Sequence, residues 1–152
     1  MQNKIFNKSI VLCFTLIIFF YQAQSKKINF LIMIDEKPSV LNNNLQLSSP
    51  SMEIIKANYI VGTIDFSEND YKKLFDDNSS YFNVTFETIL PQHTFASNYS
   101  ITIPKNFIKQ KYIIINIFNM DNKIYKRRYS KLIKDNKEYY IVIETPSSMI
   151  LN

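Results

Sequence analysis

Cysteine, histidine and glycine each occur once in this 152-residue chain, at Cys13, His93 and Gly62, and arginine occurs only at Arg127 and Arg128 among 18 basic residues. Long apolar runs are as scarce. The exception is Ile10 to Tyr21, 12 residues broken only by Thr15. A helix that crosses a bilayer needs about 20 residues, so this run is too short for a permanent anchor. With Lys4 and Lys8 ahead of it and Ala23-Gln24-Ser25 behind it, it reads as the apolar region of a secretory signal peptide over residues 1–25, cleaved between Ser25 and Lys26. Cys13 does not suit a lipid-bearing cysteine, because bulky Leu12 precedes it and the apolar run continues after it. The expectation is an exported protein, periplasmic or secreted, with no transmembrane anchor after cleavage.

Cleavage there removes Lys4, Lys8 and Cys13 and leaves 127 residues, 16 of them basic and 13 acidic, for a formal charge of +3. Without cysteine the mature chain has no disulfide staple and no thiol nucleophile, so its stability must come from core burial. Its length suits one domain, residues 26–152, and no linker-like stretch marks a second. The preference for lysine, isoleucine and asparagine resembles codon bias, which weakens any functional reading of a single lysine run.

What the chain has in abundance is alternation at period two. Ile28, Phe30, Ile32 and Ile34 share one face of the stretch 27–35, with Leu31 and Met33 opposite, which predicts a strand covered on both sides. Residues 36–51, with Pro38, Asn42 to Asn44 and Pro50, read as loop that Leu41, Leu45 and Leu47 either pin down or turn into a short edge strand. Residues 53–66 form a second extended segment, where Gly62 marks a bulge or a close backbone approach. One helix is expected over 68–75: Ser67 caps it, Asp70 answers three residues on, and Tyr71, Leu74 and Phe75 share a face. Phe82, Val84 and Phe86 then alternate with Asn83, Thr85 and Glu87 as a half-buried strand.

Further strands are predicted at 98–103, stopped by Pro104, at the very apolar 112–118, at 123–129 through a turn at Met120-Asp121-Asn122, and at 139–144 after a turn over 134–137. Short strands, frequent turns and one helix predict a mainly β fold, an antiparallel β-sandwich, immunoglobulin-like or similar, with a small β-barrel as the alternative. Tyr112 stands where the corner tyrosine of an immunoglobulin-like fold would stand, though it fits any strand entry.

The same scarcities limit the chemistry open to the chain. His93 has no serine elbow, His-Glu-x-x-His or Cys-x-x-Cys around it and reads as a loop histidine. Asp76, Asn78, Ser80 and Glu87 match positions one, three, five and twelve of a calcium loop, but Tyr81 replaces the glycine of position six and a strand replaces the second helix. A turn that ends a helix is the plainer account. Neither a metal nor another cofactor is implied. Asp35, Glu87 and Glu144 are the carboxylates that a small extracellular hydrolase would have to pair.

The remaining candidate is the run from Lys123 to Lys131. Extended, it sets Lys123, Tyr125, Arg127, Tyr129 and Lys131 on one face, beside Lys126 and Arg128, so that aromatic rings stack while cations hold an acidic group. A solvated, charge-protected edge strand is the bland reading of the same residues. The expectation is a non-enzymatic binding or structural protein of the cell envelope or extracellular space. Its partner would be another envelope protein, an anionic glycan or a lipid head group rather than nucleic acid.

Overall fold

The alternation over residues 27–35 is a strand: β1 (Ser25–Ile34) buries Ile28, Phe30, Ile32 and Ile34 and leaves Leu31 and Met33 half-buried on the other face. The computed structural model describes residues 25–40, 45–89, 96–129 and 138–151. Residues 1–24, on which the expected leader falls, Leu41, the turn at 134–137, His93 and Lys131 therefore lie outside the described residues.

The strands that follow are β2 (Lys37–Pro38), β3 (Leu45–Ser49), β4 (Met52–Ile60) and β5 (Gly62–Ser67), then helix α1 (Glu68–Asp76). Next come β6 (Tyr81–Ile89), β7 (Ala96–Pro104), a 3₁₀ turn (Lys105–Lys109) and β8 (Ile113–Asn119). Helix α2 (Lys123–Tyr129), β9 (Tyr139–Glu144) and β10 (Met149–Leu151) complete the chain. The fold is mainly β, as the pattern predicts. The ten strands of the described residues belong to one sheet, in the order β10-β9-β8-β1-β5-β4-β3-β6-β7, with β2 beside β1.

That sheet curls into a half-barrel, between the two architectures the pattern allows. The bend arises where one strand serves two neighbours in succession. The first part of β4 pairs with β3, Leu45 opposite Ala57, and its end pairs with β5, Asn58 opposite Asp65. A strand that changes partners along its length turns a corner. The curl brings the last strands opposite one another: the ring of Tyr99 on β7 lies 5.0 Å from that of Tyr139 on β9, and its hydroxyl donates to Asn119 Oδ1 at 3.3 Å. One apolar core fills the inside, with Phe30, Ile32, Leu47, Ile64, Ile101, Ile115 and Ile143 almost fully buried. All pairings are antiparallel except that between β1 and β8, which run parallel.

Several local expectations need correction. Leu45 and Leu47 lie in a strand with neighbours on both sides, β4 and β6, so β3 is internal and not an edge. Gly62 makes neither a bulge nor a close approach, since a Cβ added there would meet nothing within 4 Å. It occupies φ +94° in the tight turn between Ile60 and Thr63, and that left-handed backbone is what requires glycine. Tyr112 is 37 % exposed at the mouth of β8 and does not act as a buried corner tyrosine.

The helix at 68–76 forms as expected. Ser67 Oγ accepts the amide of Asp70 at 3.1 Å and donates to Asp70 Oδ2 at 2.7 Å, so the acid answers the hydroxyl of the cap and not its backbone N–H as in a full capping box. Leu74 is buried, and Tyr71 and Phe75 pack on the core beside it.

Candidate functional site

The segment read as a cationic strand is helix α2, and this rearranges every residue in it. Asn122, read as part of a hairpin turn, is the helix cap: its Oδ1 accepts the amide of Ile124 at 3.0 Å. On a helix Tyr125 and Tyr129 fall one turn apart on the same side. Both turn inward and pack with Phe118, with centroids at 5.1 and 4.9 Å, and Tyr129 stacks on Tyr140 at 5.1 Å. This cluster covers the outer face of β8 and β9, which is why Tyr140, Ile141, Val142 and Ile143 are buried in succession. Burial, and then Glu36 and Asp35 nearby, push the Tyr125 hydroxyl above its usual pKa.

Lys123, Lys126 and Arg127 share the outer, exposed side of α2, and Arg128 pairs with Glu36 at 3.3 Å. The expected mixture of rings and cations on one face is therefore not formed. The rings belong to the core and the cations to the surface, because seven residues wind at 3.6 per turn and not two.

Two of the three candidate carboxylates, Asp35 and Glu144, lie toward opposite ends of β8. Asp35 stands beyond the end of β1, its Oδ1 and Oδ2 each accepting at 2.9 Å from the amide and the side chain of Asn119. Glu144 lies opposite Ile114 at the other end of β8 and accepts from Asn116 Nδ2 at 2.9 Å. The five residue steps of strand from Ile114 to Asn119 separate the two by roughly 16 Å. Glu87 alternates with buried Phe86 and Thr88 and so faces away from the core.

In the acidic loop after α1 the carboxylate held by hydrogen bonds is Asp77, which is not one of the four residues of the calcium pattern. Asp77 accepts from the Ser51 hydroxyl and from the Ser79 amide, and the Ser51 bond holds its carboxyl below the usual range. Glu87 is meanwhile far along β6. Among the described residues no group of three or more histidine, cysteine, aspartate or glutamate side chains is placed to hold a metal.

A different site arises from the register of β1. β8 pairs with β1 only from Phe30 to Ile34, whereas β5 pairs with it from Ser25 to Phe30. Ahead of Phe30 the edge of β1 toward β8 thus has no strand neighbour among the described residues, and alternate residues direct N–H and C=O groups to it. The 3₁₀ turn and Lys111 stand off from this edge, leaving an open cleft of about 380 Å³ between them and α1.

Ile28, Ile108, Tyr71 and Phe75 supply its apolar surface, and the two rings lie 4.5 Å apart between centroids. Lys27, Lys109, Lys111, Asn29 and Gln110 supply its polar rim. Asn29 Nδ2 donates to the carbonyl of Lys111 at 2.9 Å and ties the rim to the strand. Lys27 approaches Asp65 at 3.8 Å, while among the described residues no carboxylate lies within ion-pair distance of Lys109 or Lys111. The cleft therefore unites the two groups sought in α2, exposed ammonium groups and aromatic rings.

Sequence reasoning missed it because its residues come from three separated segments. Lys109-Gln110-Lys111, ahead of the most apolar strand, is the one local signal, and it looks like any solvated turn. No helix among the described residues is long and apolar enough to cross a membrane. No protein-family model, curated protein or solved structure matches the chain.

Proposed function

We propose that the protein is an exported, non-enzymatic binding module of the cell envelope or extracellular space, and that the cleft beside β1 takes an acidic sugar unit of a polysaccharide. The observation that carries the reading is the pairing of Lys109 and Lys111 with Tyr71 and Phe75 around one open edge of backbone. A uronic acid residue has the matching chemistry. Its carboxylate suits the ammonium groups, its ring face suits the aromatics, and its hydroxyls suit Asn29, Gln110 and the β1 backbone. The volume lies within the range of small-ligand sites, about 300–1,000 Å³. Export supports the reading from the sequence side, since the leader would deliver the domain to the compartment that holds such polymers.

Calorimetry with tetragalacturonate, against neutral maltotetraose as the control, tests this. The acidic oligomer should bind saturably and the neutral one at least about tenfold more weakly, with affinity falling as salt rises. Replacing both Lys109 and Lys111 by alanine should remove most of the binding, and Lys126→Ala on α2 should leave it unchanged. Equal binding of both sugars, or no saturation by the acidic one at millimolar concentration, would overturn the assignment.

A further inference from the structure

The two ends of the sheet are built differently. β10 is three residues long, whereas β7 runs for nine and keeps register with β6 at every position, from Ile89 opposite Ala96 to Tyr81 opposite Pro104. Proteins ordinarily protect a long edge with lysine, an internal proline, a bulge or a covering element. β7 has no charged residue, its proline is its final residue, and its register shows no shift. Among the described residues no strand pairs with its outer side. Alternate residues of β7 direct backbone N–H and C=O groups to that side.

We propose that β7 is a dimerisation edge, on which the β7 of a second copy of this chain adds antiparallel to make one sheet across two protomers. The strand is complementary to itself. A twofold axis through Ser100 sets Tyr99 opposite Ile101 on the core side and Asn98 opposite Thr102 on the outer side. These are an aromatic against a β-branched residue and an amide against a hydroxyl, both favourable cross-strand pairs. No like charges meet, and Pro104, which lacks an amide proton, falls opposite Ala96 at the rim of the pairing. Asn98, Ser100 and Thr102 are all exposed, so the outer face of the strand is open to the side chains of a second copy. The inference is independent of the ligand assigned to the cleft.

Sedimentation of the purified protein at about 100 µM should find a dimer that dissociates on dilution. Ser100→Lys, which introduces an ammonium facing its own symmetry mate, should weaken that dimer at least about tenfold with an unchanged circular dichroism spectrum. The cysteine content allows a second readout. With Cys13 replaced by serine, Ser100→Cys should form a symmetric disulfide-linked dimer on oxidation, because residues opposed across strands lie within the Cα spacing that a disulfide spans. Asn58→Cys, exposed on β4, should not. A monomer at that concentration, a dimer indifferent to Ser100→Lys, or equal cross-linking of both cysteine variants would overturn the proposal.

Discussion

Between the stretch of β1 that pairs with β5 and the two residues that pair with β2, the amide of Ile32 has no strand neighbour on that side, and the hydroxyl of Tyr59 accepts its proton at 3.0 Å. Tyr59→Phe keeps the ring and leaves that amide without its acceptor. It should cost about 1–3 kcal/mol, read as a lower urea midpoint at unchanged slope. Burial raises the hydroxyl pKa of Tyr59, and also that of Tyr99, above the usual tyrosine value. Groups whose pKa is raised on folding contribute stability that is fully present below the unfolded value, about 10, and is lost as pH climbs through the folded value. The wild type should thus lose stability above about pH 10, and the phenylalanine variant should lose less of it. The Asp35–Glu36 turn is the other single-residue device. Both residues hold left-handed backbone, φ 50° and 66°, without glycine. Asn119 on the Asp35 carboxylate and Arg128 on Glu36 offset part of that cost.

Among the elements, α1 depends on its cap. Ser67→Ala removes the acceptor of the Asp70 amide and should destabilise the protein by about 1 kcal/mol, visible as a drop in Tm. α1 was legible because a cap, an answering acid and a three-residue apolar face coincide within it. α2 was not, although it too carries a cap. Its tyrosines at 125 and 129 satisfy the periods of strand and helix alike, and seven residues are too few for the periods to diverge. What decides is outside the segment: Phe118, Tyr140 and Val142 present an apolar outer face that only a helix of that length covers. β3 was hidden for the converse reason. Its two leucines sit in asparagine- and serine-rich sequence, and their burial depends on β4 and β6 closing on either side. The cleft shares this dependence on context, since no local pattern announces that β8 begins opposite Phe30 and not earlier.

For the molecule as a whole, the mainly β character follows from alternation, but the single curled sheet does not. It rests on pairings between distant segments, above all Phe30 with Ile113, more than 80 residues apart. Folds dominated by such pairings must close long loops before the contacts compensate, and all-β domains of this kind fold in about milliseconds to seconds. Stopped-flow refolding from urea should fall in that window, and a main phase in microseconds would contradict the topology.

The parallel seam between β1 and β8 has a consequence for how the molecule comes into being. A chain that emerges amino end first, from a ribosome or through a translocation pore, presents β1 before any other strand. β5 arrives soon after and satisfies one side of it. The other side stays bare until residues 113–117 have followed, so an interior strand of the finished sheet is the first to appear and among the last to be enclosed. No amino-terminal portion ending before β8 is a smaller version of the whole, and whatever receives the growing chain must shield an isoleucine-rich edge for most of its length.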